Sequence, residues 1–332
     1  MSLHRLRTLS TTRWSQLTST VPKRHLTLPT SYKYDPSFVR LVDVSPRDGL
    51  QNERTPIPTP TKITLINKLT ALNIPVIEST SFVSPKWVPQ LSDAAAVMQG
   101  ISKKEGTSYP VLTPNLKGLE RALELGVEEV AVFPAVTEGF SKRNLNAGVE
   151  ETLGRFGDVI AKALENGVRV RGYVSVVLGC PYEGDVSPSS VARVAERLFK
   201  MGCYEISLGD TIGTGTPNKM RELLKAVCQV VPVENLAVHC HDTYGQALGN
   251  IYEAINFGVR VVDSSVAGLG GCPYAKGATG NVATEDVLYL VHGMGLRTGV
   301  DLNEAVKVGN WISGELGRKN ASRVANALTA KL

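Results

Sequence analysis

The chain has 332 residues, 42% hydrophobic and 20% charged, a makeup that provides ample core and excludes disorder, collagen or coiled coil as a whole-chain form. No apolar run approaches the ~20 residues of a membrane-spanning helix, and five scattered cysteines imply no disulfide framework and fit a reducing compartment. The net charge of +5 belongs to residues 1–34, which hold six basic residues and no acid; the remainder carries 30 basic against 31 acidic residues and gives no reason to invoke nucleic acid.

In chain order, the leader (residues 1–34) is rich in Arg, Ser and Thr and spaces Leu3, Leu6 and Leu9 at helical intervals. That is the composition of a mitochondrial transit peptide and lacks the apolar stretch of a secretory signal. From residue 38 onward, short β-branched runs alternate with amphipathic stretches, the pattern of βα units in a parallel sheet. The predicted strands are Val39–Val44, Val76–Ser79, Tyr109–Leu112, Val130–Phe133, Val170–Val177, Glu205–Leu208, Leu236–Cys240 and Val259–Asp263. The predicted helices are Thr61–Leu72, Ser92–Met98, Leu116–Leu125, Val149–Glu165, Ser189–Met201, Asn218–Val230, Tyr244–Phe257 and Thr284–His292. Gly126, Gly167, Gly202 and Gly258 close four of them, as C-cap glycines do.

Eight such units predict an α/β fold of the (β/α)8 TIM-barrel type over residues 35–300. Residues 301–332 read as a helical extension packed on the barrel or on a second subunit. A doubly wound sheet is the alternative, but Ser45-Pro46-Arg47-Asp48-Gly49 after the first strand is no phosphate-binding glycine turn. The chain ends in Ala330-Lys331-Leu332, close to the Ser-Lys-Leu peroxisomal address, which would add a secondary peroxisomal pool.

Barrel enzymes carry their chemistry at the C-terminal ends of the strands, so those positions supply the candidates. They are Arg47, Asp48 and Gln51 after the first strand, Glu78 at the end of the second, Asp210 after the sixth, and His239 and His241 on the seventh. After the eighth come Cys272 in a glycine-rich loop and Asn281. His239 and His241 are two apart on a strand, so their rings share a face and invite a metal. Asp48 and Asn281 are expected on the first and eighth strands, flanking the seventh around the closed ring. The resulting nitrogen and oxygen set suits Mg²⁺ or Mn²⁺ rather than structural Zn²⁺. Cys240 faces the opposite way and belongs to the core, whereas Cys272 has little apolar cover. Arg47 is placed to hold oxyanion charge, and Glu78 and Asp210 either orient Arg47 and the histidines or take part directly.

The segments Ser45-Pro46-Arg47-Asp48-Gly49-Leu50-Gln51-Asn52-Glu53, His239-Cys240-His241-Asp242-Thr243 and Ser265-Val266-Ala267-Gly268-Leu269-Gly270-Gly271-Cys272-Pro273 resemble those of the 3-hydroxy-3-methylglutaryl-CoA lyase family, from about Val39 to the end of the chain. The resemblance implies that Asp48, His239, His241 and Asn281 bind a divalent cation, that Arg47 contacts an acyl-CoA substrate, and that Cys272 is catalytic. It also implies a homodimer. Cleavage to acetyl-CoA and acetoacetate would begin with loss of the 3-hydroxyl proton to Asp48 or His239, and Cys272 would protonate the enolate. One departure is visible: several animal members end in Cys-Lys-Leu, and here that cysteine is Ala330, so thiol regulation through it is expected to be absent. Alternatives are a Claisen-type synthase, a lyase for a longer branched substrate, or a non-catalytic acyl-CoA-binding barrel; the last predicts a broken ligand set, which this is not.

Overall fold

Apolar alternation within short runs produces a single parallel sheet whose two ends meet. A computed structural model describes residues 33–271 and 280–330. Its strands are β1 (Arg40–Asp43), β2 (Val76–Ile77), β3 (Thr80–Ser81), β4 (Val111–Leu112), β5 (Glu129–Val132), β6 (Arg169–Ser175), β7 (Glu205–Asp210), β8 (Leu236–Cys240) and β9 (Val261–Ser264). Every pairing is parallel, in the order β2-β1-β9-β8-β7-β6-β5-β4-β3. The outermost members, β2 and β3, are halves of one stretch. β2 pairs with β1 and β3 with β4, while Glu78 N donates to Asp43 O and Ser79 N to Pro110 O between them. That stretch closes an eight-stranded barrel, the architecture expected from the sequence. The unbroken strand expected over Val76–Ser79 is corrected to two short ones, because each half commits its hydrogen bonds to a different neighbour.

The helices α1 (Thr59–Ala71), α2 (Ala94–Gly100), α3 (Leu116–Glu124), α4 (Glu138–Leu145), α5 (Val149–Glu165), α6 (Pro188–Met201), α7 (Pro217–Val227), α8 (Ala247–Phe257) and α9 (Thr284–Gly293) surround it. In α5 the buried Val149, Leu153, Phe156, Ile160 and Ala163 recur at helical spacing and cover the sheet; each fully buried large side chain among them stabilises by about 1.5–3 kcal/mol. α6 begins where the Ser187 hydroxyl accepts from Ser190 N and ends at Gly202 with φ 109°, a conformation that favours glycine. α4 was not expected: only Phe140 and Ser141 of its eight residues are buried, so it has no apolar stripe to read. α10 (Leu302–Glu315) packs on α1 and α9, and α11 (Arg323–Thr329) on α9. The C-terminal extension therefore lies on its own barrel, at least as far as Ala330. No helix among the described residues is long and apolar enough to cross a membrane.

Alternation along the strands divides the core. Leu236, Val238 and Cys240 of β8 join the large cluster between sheet and helices, while Ala237 lies in a small cluster with Val42 and Val261. The barrel interior also takes charge. Arg171 of β6, 1% exposed, pairs with Glu205 of β7 and Asp263 of β9, and Arg40 of β1 pairs with Glu205. Buried charges of this kind persist only when paired and hydrogen-bonded.

Candidate active site

Four segments bring ionisable groups to the C-terminal mouth of the barrel. After β1 the backbone makes a π-helical turn over Ser45–Gly49, in which Gly49 N donates to Val44 O. The turn projects Arg47 and Asp48 from consecutive positions into the mouth, and short π segments are common at functional sites. Its footing is polar: Asp43 accepts from Ser45 N at 2.9 Å and from the Thr284 hydroxyl at 3.0 Å, and the Ser45 hydroxyl accepts from Val266 N at 2.8 Å.

Arg47 lies between two carboxylates. Its Nε donates to Glu78 Oε2 at 2.6 Å and its Nη1 to Asp48 Oδ1 at 2.6 Å. Burial opposes its charge, but Glu78 and Asp48 more than offset that and hold the guanidinium ionised. Asp48 also accepts from Gln51 Nε2 at 3.0 Å and from Asn281 Nδ2 at 2.8 Å. Burial would raise its pKa, yet Arg47 and the two histidines hold it well below the usual carboxylate range.

His239 and His241 do share a face, with ring centroids 5.2 Å apart. Their Nε2 atoms lie 4.0 Å and 3.8 Å from Asp48 Oδ2. These separations are too long for hydrogen bonds and leave room for an ion among three buried donors, all of which fall within 4.8 Å of one another. Two imidazoles and a carboxylate fit a divalent cation.

Asn281 reaches the site by a route the sequence did not show. It lies neither on the last strand nor at its end; it forms an antiparallel bridge with His241, flanked by Asp242 N donating to Gly280 O and Val282 N to Cys240 O. Its amide nitrogen faces Asp48 and Leu269 O, which leaves Oδ1 as the donor it could offer a cation. The flanking geometry expected for Asp48 is also corrected. β9 separates β1 from β8, and the π-helical turn, rather than strand adjacency, carries Asp48 across to the histidines.

Glu78 accepts from Arg47 Nε at 2.6 Å, the contact that the orienting one of its two expected roles would need. Burial raises the Asp210 pKa, opposed by two loop N–H donors and by the nearby charges of His241 and His239. Its carboxylate accepts from Thr214 N at 3.2 Å and Gly215 N at 2.9 Å, and its carbonyl accepts from His241 N. It shapes the loop after β7. Cys272, Lys331 and Leu332 lie outside the described residues, as does the leader up to residue 32. The stems of the Cys272 loop are described: Asn52 Nδ2 donates to Gly271 O at 2.9 Å. Gly280, at φ +83°, packs so closely that a Cβ there would lie 2.5 Å from Gly270 C.

Sequence reasoning missed three interior residues. Tyr173 of β6 lies under the guanidinium of Arg171, 4.8 Å away, with that of Arg47 at 5.7 Å, and it meets His239 edge-on. Asp263 of β9 lies 3.3 Å from His239 Nδ1 and is held by Arg171. Burial would raise its pKa, but Arg171 and His239 bring it down to about 2. The available signal was alternation, since Arg169, Arg171 and Tyr173 share one face of a strand whose other face holds Val170, Gly172 and Val174.

The site opens into a cavity of about 1220 Å³ whose lining includes Arg47, Asp48 and the histidines, and also Trp87, Arg54, Lys142, Arg143 and Arg155.

Comparison with known proteins agrees with this geometry. Residues 38–312 match the model of the HMGL-like family. The mitochondrial hydroxymethylglutaryl-CoA lyase of Gallus gallus is 58% identical over 292 residues, covering 88% of this chain and 98% of that one. The crystal structure of hydroxymethylglutaryl-CoA lyase from Pseudomonas aeruginosa superposes with a TM-score of 0.88 at 58% identity, covering 90% of this chain and 99% of that one. An HMG-CoA lyase from Acinetobacter baumannii, solved with coenzyme A and 3-methylmalate, gives a TM-score of 0.85 at 34% identity, covering 89% of this chain and 96% of that one. With the barrel closed, its mouth equipped and the match running almost end to end, the chain belongs to the HMGL-like family.

Proposed function

We propose that this protein is a carbon–carbon lyase that cleaves 3-hydroxy-3-methylglutaryl-CoA to acetyl-CoA and acetoacetate. The observation that carries the reading is the convergence of Arg47, Asp48, His239 and His241 on one mouth in a chain 58% identical to a lyase of that name along 98% of its length. The match over nearly the whole relative argues against the synthase alternative, and the intact cluster argues against a non-catalytic barrel.

Asp48, His239 and His241, with Asn281 through Oδ1, would hold a divalent cation, for which Mg²⁺ or Mn²⁺ is the proposal. Such an ion, when bound, polarises a substrate oxygen and lowers the pKa of its hydroxyl. Arg47, already desolvated and fixed by Glu78, needs no reorganisation to stabilise the thioester enolate released when the C2–C3 bond breaks. Gln51 shares Asp48 with Arg47 and lines the same cavity, which supports a substrate contact. Of the two candidates to take the 3-hydroxyl proton, Asp48 and His239, the imidazole can do so only through a nitrogen that is not holding the cation, and Cys272 is the proposed donor that protonates C2. The basic side chains in the cavity lining, Arg54, Lys142, Arg143 and Arg155, suit the phosphates of coenzyme A.

Residues 1–34 serve as a mitochondrial transit segment in this reading, residues 35–300 as the catalytic barrel, and 301–332 as its extension. A mitochondrial location draws support from the relatives' names. A homodimer and a secondary peroxisomal pool are part of the proposal. The test is incubation of purified protein with 3-hydroxy-3-methylglutaryl-CoA and Mg²⁺, with and without chelator, followed by acetoacetate assay. Acetoacetate formed only without chelator is expected; none under either condition would overturn the reading.

A further inference from the structure

Asp263 lies 3.3 Å from Nδ1 of His239, one of the three candidate metal donors, and takes hydrogen bonds beyond its ion pair with Arg171. Arg171 grips both oxygens, Nη2 to Oδ1 at 2.7 Å and Nη1 to Oδ2 at 3.1 Å. On Oδ2 two further groups converge, the Ser207 hydroxyl at 2.9 Å and His239 Nδ1 at 3.3 Å. An ionised carboxylate has no proton to give, so every polar group that approaches Oδ2 must donate to it. Three are donors by construction: two guanidinium nitrogens and a hydroxyl with no competing acceptor at this oxygen. The fourth, His239 Nδ1, completes the set only when it carries a proton.

The surroundings hold this arrangement rigid. His239 and Asp263 are paired neighbours in the register of β8 and β9. Arg171 is pinned by Glu205, which accepts its Nε at 2.7 Å and also pairs with Arg40. From the floor upward, the barrel interior runs Arg40, Glu205, Arg171, Asp263, His239, a stack of alternating charge that ends on the imidazole. A carboxylate needed only to neutralise Arg171 would not have to aim an oxygen at His239.

We propose that Asp263 is a positioning residue that fixes His239 as the Nδ1–H tautomer, so that the bare Nε2 faces Asp48 Oδ2 as a ready metal donor, with Arg171 and Glu205 holding Asp263 in place. The metal half of this inference rests on the ligand set proposed above; the tautomer half does not.

Two measurements test it. In metal-free protein carrying ¹⁵N-histidine, with His239→Asn used to assign the resonances, His239 is expected to show a protonated Nδ1 and an unprotonated Nε2. A protonated Nε2 in the parent overturns the inference, and this reading needs no Asp263 variant to fold. Second, Asp263→Asn gives Arg171, Ser207 and His239 one acceptor oxygen instead of two. It should mix the tautomers of His239 and weaken Mn²⁺ binding by about ten- to a hundredfold, as loss of an orienting partner does. Ser207→Ala, which removes a different hydrogen bond on the same oxygen, should stay within about threefold of the parent. Unchanged Mn²⁺ affinity in a folded Asp263→Asn protein overturns the proposal. Unchanged affinity in His239→Ala instead removes His239 from the ligand set, so the two failures separate.

Discussion

Arg47 and Asp48 are adjacent in sequence, and at the scale of single residues their adjacency sets both of their properties. Each lies within 2.6 Å of the other's charge, so Arg47 stays ionised in a buried site and Asp48 loses basicity. That favours Asp48 as a ligand-type oxygen over Asp48 as a proton acceptor. Proton donation has to come from another group, and Cys272 is the proposed one. Its reference pKa of ~8.5 leaves it protonated at neutral pH, and positioned proton transfer contributes ~10²–10⁴-fold. Cys272→Ala should therefore lower kcat by about that factor and leave Mn²⁺ affinity unchanged, checked by steady-state kinetics beside a metal titration. A variant that keeps most of the parent's kcat would move the proton donor elsewhere.

At the scale of elements, two joints hold the mouth in shape. The first is the neck of the Cys272 loop, where Gly280 meets Gly270 backbone to backbone. An added Cβ has no flexible side chain to push aside, and the residue is in the left-handed region. Gly280→Ala should cost about 1–3 kcal/mol and displace Asn281 from Asp48, lowering both the unfolding temperature and kcat; a variant unchanged in both would show that the neck tolerates separation. The second joint is Glu285 of α9, buried, accepting from Ala267 N with both oxygens at 2.9–3.0 Å. Burial pushes its carboxyl up to about 8, against ~4.3 in an unfolded chain. The folded protein thus keeps a proton that the unfolded chain releases. The stability tied to that proton is complete below about pH 4 and falls as pH rises through 8. Glu285→Gln, which cannot ionise, should gain on the parent as pH rises from 5 to 8.5, by an amount on the order of a few kcal/mol. Thermal melts across that range would check it, and a pH-independent difference would exclude a titrating Glu285.

For the whole molecule, the basic excess is separate from the chemistry. Residues 1–34 hold the six basic groups, and every described site residue lies beyond them. A protein lacking residues 1–33 should fold and turn over normally, while a reporter fused to the shortened chain should lose mitochondrial import. Import that survives the deletion would contradict the targeting reading, and loss of folding would show that the leader does structural work. The extension at the other end is tied to the barrel instead. Asp286 of α9 accepts from the Ser322 hydroxyl at 2.6 Å and Val324 N at 2.9 Å, so removal of α10 and α11 would strip a buried carboxylate of its donors.

How much was legible in the sequence follows from range. The strand–helix alternation, the glycine C-caps and the shared face of His239 and His241 depend on periods of two and 3.6 residues, which a linear reading captures. Arg47, Asp48, His239 and His241 were likewise visible, because barrel chemistry gathers at one kind of position and these residues occupy it. Glu78 could be named but not assigned, since its partner Arg47 is 31 residues away. Asp263 and Tyr173 passed unnoticed because a strand shows which residues share a face but not what lies across the barrel. The bridge between His241 and Asn281, the split of residues 76–81 between two neighbours, and the Arg40–Glu205–Arg171–Asp263 stack were decided only by closure of the ring. Local periodicity determined which elements form and which way their side chains turn. Only the closed barrel determined which charges meet, because those contacts join segments that the chain itself keeps far apart.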